Sequence, residues 1–299
     1  MFPIRSRVVG LCMAVLPGLL LGGCSTRSLI LRHVGDELAQ QAHAQNGEDD
    51  LVLAREASAF YLKLSESILR PQPGHLALAE SVASGFTQYA YAFVSFEADR
   101  REASDARAAQ ALRERAARLY ARAWRHARTA LEADQPGFMA ALSQTDPARW
   151  PPLRPETVGL AYWGAAAWAG QISLSKDHPD TVADLPLSIR LAERAYACAP
   201  GHGDGALASL MGTLEMARPG GSTARALAYF DEAIRLGQDH QAGALVAKAE
   251  GWAQTTGDKT VFALLLGEAL SVSARHPTLP NEAARLRAQW LLAQIDDLF

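Results

Sequence analysis

Ser173-Leu174-Ser175-Lys176 is the chain's nearest approach to a catalytic spacing. S-x-x-K sets a lysine one helical turn from a serine hydroxyl, an arrangement used to activate a nucleophile for acyl transfer. The S-D-N and K-T-G partners that complete such a site do not occur, and Lys176 reads as a cation placed well against a helix C-terminus. Eight histidines stand at 33, 43, 75, 126, 178, 202, 240 and 276. No two share a helix face at i, i+3 or i+4, and no H-E-x-x-H or Cys/His ligand set occurs, so no metal or cofactor site is expected. Cys198, between Ala197 and Ala199 at the end of an expected helix, reads as a small buried apolar residue, because the dipole there disfavours a thiolate. Gly201-His202-Gly203-Asp204-Gly205 lacks G-x-G-x-x-G spacing and follows a helix, which makes it a turn with Asp204 as N-cap. A carboxylate clamp for peptide termini would need Asn and Lys side chains along a groove; the chain has only Asn46 and Asn281 and four scattered lysines. The expectation is a protein that is not an enzyme.

What remains is aromatic. Phe86, Tyr89, Tyr91, Phe93 and Phe96 crowd one segment, and Tyr162, Trp163 and Trp168 another, beside Gly159, Gly164 and Gly170. Such rings either fill the core between stacked helices or line a cavity. Residues 86, 89, 93 and 96 share a helical face, and Tyr91 falls off it. Tyr91, Trp163 and Trp168 are the candidate ligand-binding residues.

The elements that must position these side chains are helices. Apolar residues recur at i, i+3, i+4 and i+7 from Leu29 to Phe299, with no run of alternating β-branched residues, so the fold class is all-α. Turn signals at Pro71–Gly74, 100–105, 136–155, 176–186, 200–204, 219–223, 237–241, 256–258 and 276–280 divide the chain into about a dozen helices joined as antiparallel hairpins. The Pro-rich stretch Trp150–Pro155 divides an N-terminal helical half, 32–150, from a C-terminal half, 151–299. Several helices carry a small-large-small triplet: Ala116, Tyr120, Ala123; Ala226, Phe230, Ala233; and, less regularly, Phe262, Leu266, Ala269. Small residues let helices approach and the large one fills the groove between pairs, which is the logic of a TPR-like α-solenoid. The first helices lack the full repeat signature, and a bundle with Ala-rich interfaces is the alternative. Hydrophobic residues make up 49% of the 299, enough for a real core, and 29 basic against 32 acidic residues offer no like-charge block to track nucleic acid.

The N-terminus reads as an address. Arg5 and Arg7 precede an apolar run, Val8–Leu21, that at about 1.5 Å per residue is too short for a ~30 Å hydrocarbon core, so residues 1–23 are expected to be a cleaved signal peptide. Leu21-Gly22-Gly23-Cys24 resembles the bacterial lipobox, which implies lipidation of Cys24 and a lipidated tether over residues 24–31. Ser25 after Cys24 points to the outer membrane.

Several motifs taken in order carry a wider resemblance. Tyr162-Trp163-Gly164 through Trp168 to Lys176-Asp177 is followed by Val182-Ala183-Asp184-Leu185-Pro186, and then by Arg225–Gly237 with Phe230-Asp231-Glu232-Ala233-Ile234. The 258–270 segment with Phe262 and the terminal Ala288–Ala293 and Asp297–Phe299 complete the set. This half of the chain resembles the T component (TatT) associated with tripartite ATP-independent periplasmic (TRAP) transporters. The resemblance implies a periplasm-facing lipoprotein of TPR-like fold that self-associates as a trimer and docks the substrate-binding P component. It also implies handing over a small, hydrophobic organic ligand. The Arg-rich stretch 100–128 and the short turn around Pro219 depart from the family pattern. A rival expectation is an outer-membrane TPR lipoprotein that scaffolds envelope assembly through protein contacts alone.

Overall fold

The computed structural model describes residues 31–40 and 50–299. The expectations for the leader and for Cys24 lie outside the described residues. The chain is helical throughout the described part: α1 (31–40), α2 (Leu51–Leu69), α3 (Leu76–Tyr89), α4 (Phe96–Arg101), α5 (Ala106–Asp134), α6 (Pro155–Ser173), α7 (Leu185–Cys198), α8 (Ala206–Ala217), α9 (Thr223–Gly237), α10 (Ala242–Lys248), α11 (Lys259–Arg275) and α12 (Leu279–Ala293), with single turns of helix between. Side-chain caps set many of the starts, as the turn chemistry predicts. The Asp50 carboxylate accepts from Val52 and Leu53 N–H, Asp105 from Ala108, Ser222 from Arg225 and Asp258 from Val261. Asp204 departs from expectation: it sits at φ +51°, and Gly205, at φ +95°, is the N-cap of α8. A side chain at 205 would collide with the Ala233 carbonyl of α9, so the turn needs glycine for approach as well as conformation.

Helices pack mainly on their neighbours in the chain, α5 on α6, α6 on α7, α8 on α9 and α11 on α12, while α3 packs on both α5 and α6. The small-large-small triplets are buried as units: Tyr120 is 6% exposed and Phe230, Phe262 and Leu266 are fully covered, as are their alanines. Two of the large rings meet glycines on neighbouring segments. Tyr120 lies against Gly170, and Phe230 against Gly212 and Gly251. α6 is buried on several faces, from Val158 to Ile172, because α3, α5 and α7 all lean on it. One apolar core runs from Leu62 to Leu214, across the Trp150–Pro155 turn, and a second from Ala242 to Leu291.

The last long helix returns to the first part of the chain. α12 touches α2, and Arg287 on α12 donates from Nη1 to Asp99 of α4 at 2.7 Å. Among the described residues no helix is long and apolar enough to cross a membrane.

Candidate functional site

The last long helix, α12, comes back to α2 and α4, and the helices leave space between them. Here that space is a cavity of about 930 Å³ lined from α2, α3, α5, α6, α8, α10 and α12, so both halves of the chain build it.

One irregular helical turn lies in its wall, and a second follows directly on a wall helix. Helix α3 continues without a break through a π-helical segment, Ala90–Ser95, into α4, and α10 continues through a second, Ala249–Ala253. A π-turn inserts extra residues per turn and re-aims the side chains that follow. Tyr89, Tyr91 and Phe93 therefore all line the cavity, although a regular helix would separate Tyr91 from the other two. Arg287 ties the two π-segments together. It pairs with Glu250 at 2.6 Å in the second and with Asp99 just beyond the first, and its guanidinium lies over Phe96 and Trp290 at 5.2 and 4.8 Å.

Of the candidate ligand-binding residues, Tyr91 and Trp163 both line the cavity. Tyr91 keeps 46% of its surface free, yet desolvation inside the protein, followed by the charge of Glu250, pushes its phenol well above the usual range. The ring belongs to the cavity lining. Tyr162, tilted against Trp163 at 4.7 Å, is pushed up to about 12 by burial. Trp168 lies elsewhere: it is 3% exposed, stacks on Trp124 at 4.2 Å between α5 and α6, and is not among the lining residues.

The remaining lining is apolar or hydroxylated. Lys176 and Asp204 are the charged residues among the described lining, and the Ser81 hydroxyl is buried there without a hydrogen-bond partner. Ser173 also lines the cavity, but its hydroxyl donates to the Gly170 carbonyl at 2.9 Å, and no hydrogen bond joins it to Lys176. Cys198 is exposed, contrary to the sequence reading, because it falls on the outer side of the last turn of α7, with its thiol 3.5 Å from the Leu153 carbonyl.

Two groupings escaped the sequence. His240 and His276 meet at 3.0 Å between ring nitrogens, and buried Asn281 ties their loops by donating to both carbonyls and accepting from Ala242 N–H. No three metal-ligating side chains gather among the described residues. The second grouping surrounds Glu66 on the outer face of α2 and α5, where Arg122, Lys63 and His126 all hydrogen-bond its carboxylate. Burial alone would raise that carboxyl, but these bonds, Arg122's foremost, hold it at about 2.

An all-helical array with an apolar cavity and few charges on its lining has the form of a small-molecule binding site. Residues 47–299 match the family model described as TAtT, TRAP transporter T-component, and the chain belongs to that family. No curated protein matches it. The chain is accordingly an accessory, periplasmic component that works with the other components of a TRAP transporter.

Proposed function

We propose that the central cavity carries a small, largely apolar organic ligand, and that the protein docks the transporter's soluble substrate-binding component and passes this ligand on. The cavity itself carries the reading: 930 Å³ is ample for a small organic molecule, and Tyr91 and Trp163 offer aromatic faces across a lining of alanines, leucines and hydroxyls. Lys176 and Asp204 supply polar anchors at its edge. On this reading Cys24 bears the lipid that holds the protein at the outer membrane facing the periplasm, and the protein self-associates as a trimer. The test is to crosslink the lipoprotein in its own envelope, purify it, and analyse both the proteins and the organic-solvent extract by mass spectrometry. Recovery of a periplasmic solute-binding protein together with a stoichiometric small molecule is the expected result. Recovery of envelope-assembly proteins alone, with an empty extract, would replace the carrier with a scaffold. The anchor has its own test: Cys24→Ser should remain unprocessed or mislocalised, and its normal fractionation with the outer membrane would remove the lipid from the account.

A further inference from the structure

The arginines of the Arg-rich stretch do not line the cavity. Helix α5 carries Arg115, Arg118, Arg122, Arg125 and Arg128 with no acid between Glu114 and Glu132. Arg118, Arg122 and Arg125 follow one another at i, i+4 and i+7, so they form a single stripe. The stripe forms one wall of a groove of about 480 Å³ against the end of α2, where Arg70 lies. The groove's lone acid is Glu66, and it is already committed. Its two oxygens take Nε and Nη2 of Arg122, which fixes the guanidinium plane, and Lys63 and His126 take up its remaining lone pairs. Arg122 also stacks over the Phe86 ring at 4.9 Å. Arg122 is thereby held rigid with Nη1 unbonded, Arg70 and Arg125 have no ion-pair partner among the described residues, and Arg118 reaches only Glu114, at 4.0 Å on the exposed surface. A groove with four guanidinium groups and one neutralised carboxylate attracts an anion with several oxygens, and the fork geometry of arginine suits a phosphate.

The position of the groove identifies the source of that phosphate. The N-terminal segment docks beside it. Gln72, two residues beyond Arg70, donates to the Leu31 carbonyl at 2.9 Å, and His75 lies 3.3 Å from that of Arg32. Cys24 is seven residues before Leu31. Even fully extended, that stretch spans at most about 25 Å. A lipid on Cys24 therefore keeps the membrane surface within that reach of the groove's α2 end.

We propose that the groove between the end of α2 and the Arg118–Arg122–Arg125 stripe is a membrane-facing site for the phosphate groups of anionic lipids, orienting the protein on the leaflet that carries its tether. The assignment of the source rests on the lipid anchor at Cys24. The test adds the mature protein to preformed vesicles of phosphatidylcholine, with or without phosphatidylglycerol. Phenylglyoxal modification of Arg118 and Arg125 is then read by peptide mass, with Arg275 as the reference. Protection confined to phosphatidylglycerol vesicles is expected. Arg118→Gln/Arg125→Gln, which leaves Glu66 and Arg122 in place, should bind those vesicles roughly fivefold less per arginine removed, about 25-fold for the pair. An unchanged thermal melt would show that the variant is folded, and Arg275→Gln should bind like the parent. Equal modification on both vesicle types would overturn the proposal. So would protection by inorganic phosphate alone with none from vesicles, which would make the site one for a soluble phosphate compound. Failure of the tether shows differently, as no association with plain phosphatidylcholine while charge-dependent protection persists.

Discussion

Trp163 and Trp168 show how far residue types alone reach. Both are large rings in a helix rich in glycine, but five residues at 100° apiece set them about 140° apart, so one helix cannot aim both into the same space. That signal was present in the spacing. Trp163→Ala should leave the thermal melt nearly unchanged and lower the ligand content of the purified protein several-fold. Trp168→Ala, which removes a ring stacked on Trp124 from a 3%-exposed site, should cost about 3–5 kcal/mol in denaturant unfolding. Equal destabilisation by the two would contradict the division between lining and core. The Glu66 cluster was invisible in the sequence, since two of its three partners lie 56 and 60 residues away on α5. Its depressed carboxyl gives a pH signature. The folded value is about 2 against an ordinary 4.5, so its stabilising contribution is complete above pH 4.5 and is lost as pH falls towards 2. The melting-temperature gap between wild type and Glu66→Gln should therefore be widest above pH 5 and shrink steadily down to pH 2.5. A gap independent of pH would mean that the carboxylate's charge contributes nothing.

Helices were the legible level of this chain, because periodicity, caps and the small-large-small triplets are local patterns. Ala116, Tyr120, Ala123 and Ala226, Phe230, Ala233 are buried as the spacing requires. The π-segments were not legible: a lone Gly251 does not mark a π-turn, and both segments lie beside residues, Asp99 and Glu250, that are joined only through distant Arg287. The facing glycines offer a quantitative check on the interlock between helices. In Gly170→Ala the new methyl would sit 2.8 Å from the Tyr120 ring, and overpacking of about 1–3 kcal/mol outweighs the up to ~1 kcal/mol that alanine gains in a helix. Gly267→Ala on α11 meets nothing within 4 Å, so only the propensity remains and the protein should gain about 0.5–1 kcal/mol. Urea unfolding of the pair should give opposite signs. If both stabilise, the ring-on-glycine contact between α5 and α6 is looser than its geometry implies.

At the scale of the whole molecule the decisive contact joins residues 188 apart, Arg287 to Asp99, and no sequence pattern links such positions. Together with the packing of α12 on α2 it brings the last long helix back to the first part of the chain. Arg287 keeps only 14% of its side chain exposed, while Asp99 and Glu250 keep 29% and 26%. Arg287→Ala would leave two carboxylates without the cation between them. Because both retain about a quarter of their surface in solvent, the cost should be about 2 kcal/mol, below the ~3–5 of a fully buried pair. The loss should also be localised. Amide hydrogen exchange should quicken over 90–101 and 249–253, the two segments that Arg287 ties, and stay unchanged in α6 and α7, whose core lies in the other apolar cluster. If the cavity is loaded and emptied through this seam, exchange of an apolar fluorescent probe should speed up in step with that opening, with little change in how much probe binds at saturation. Faster amide exchange with unaltered probe kinetics would keep the seam as a structural closure and remove it as the ligand's route.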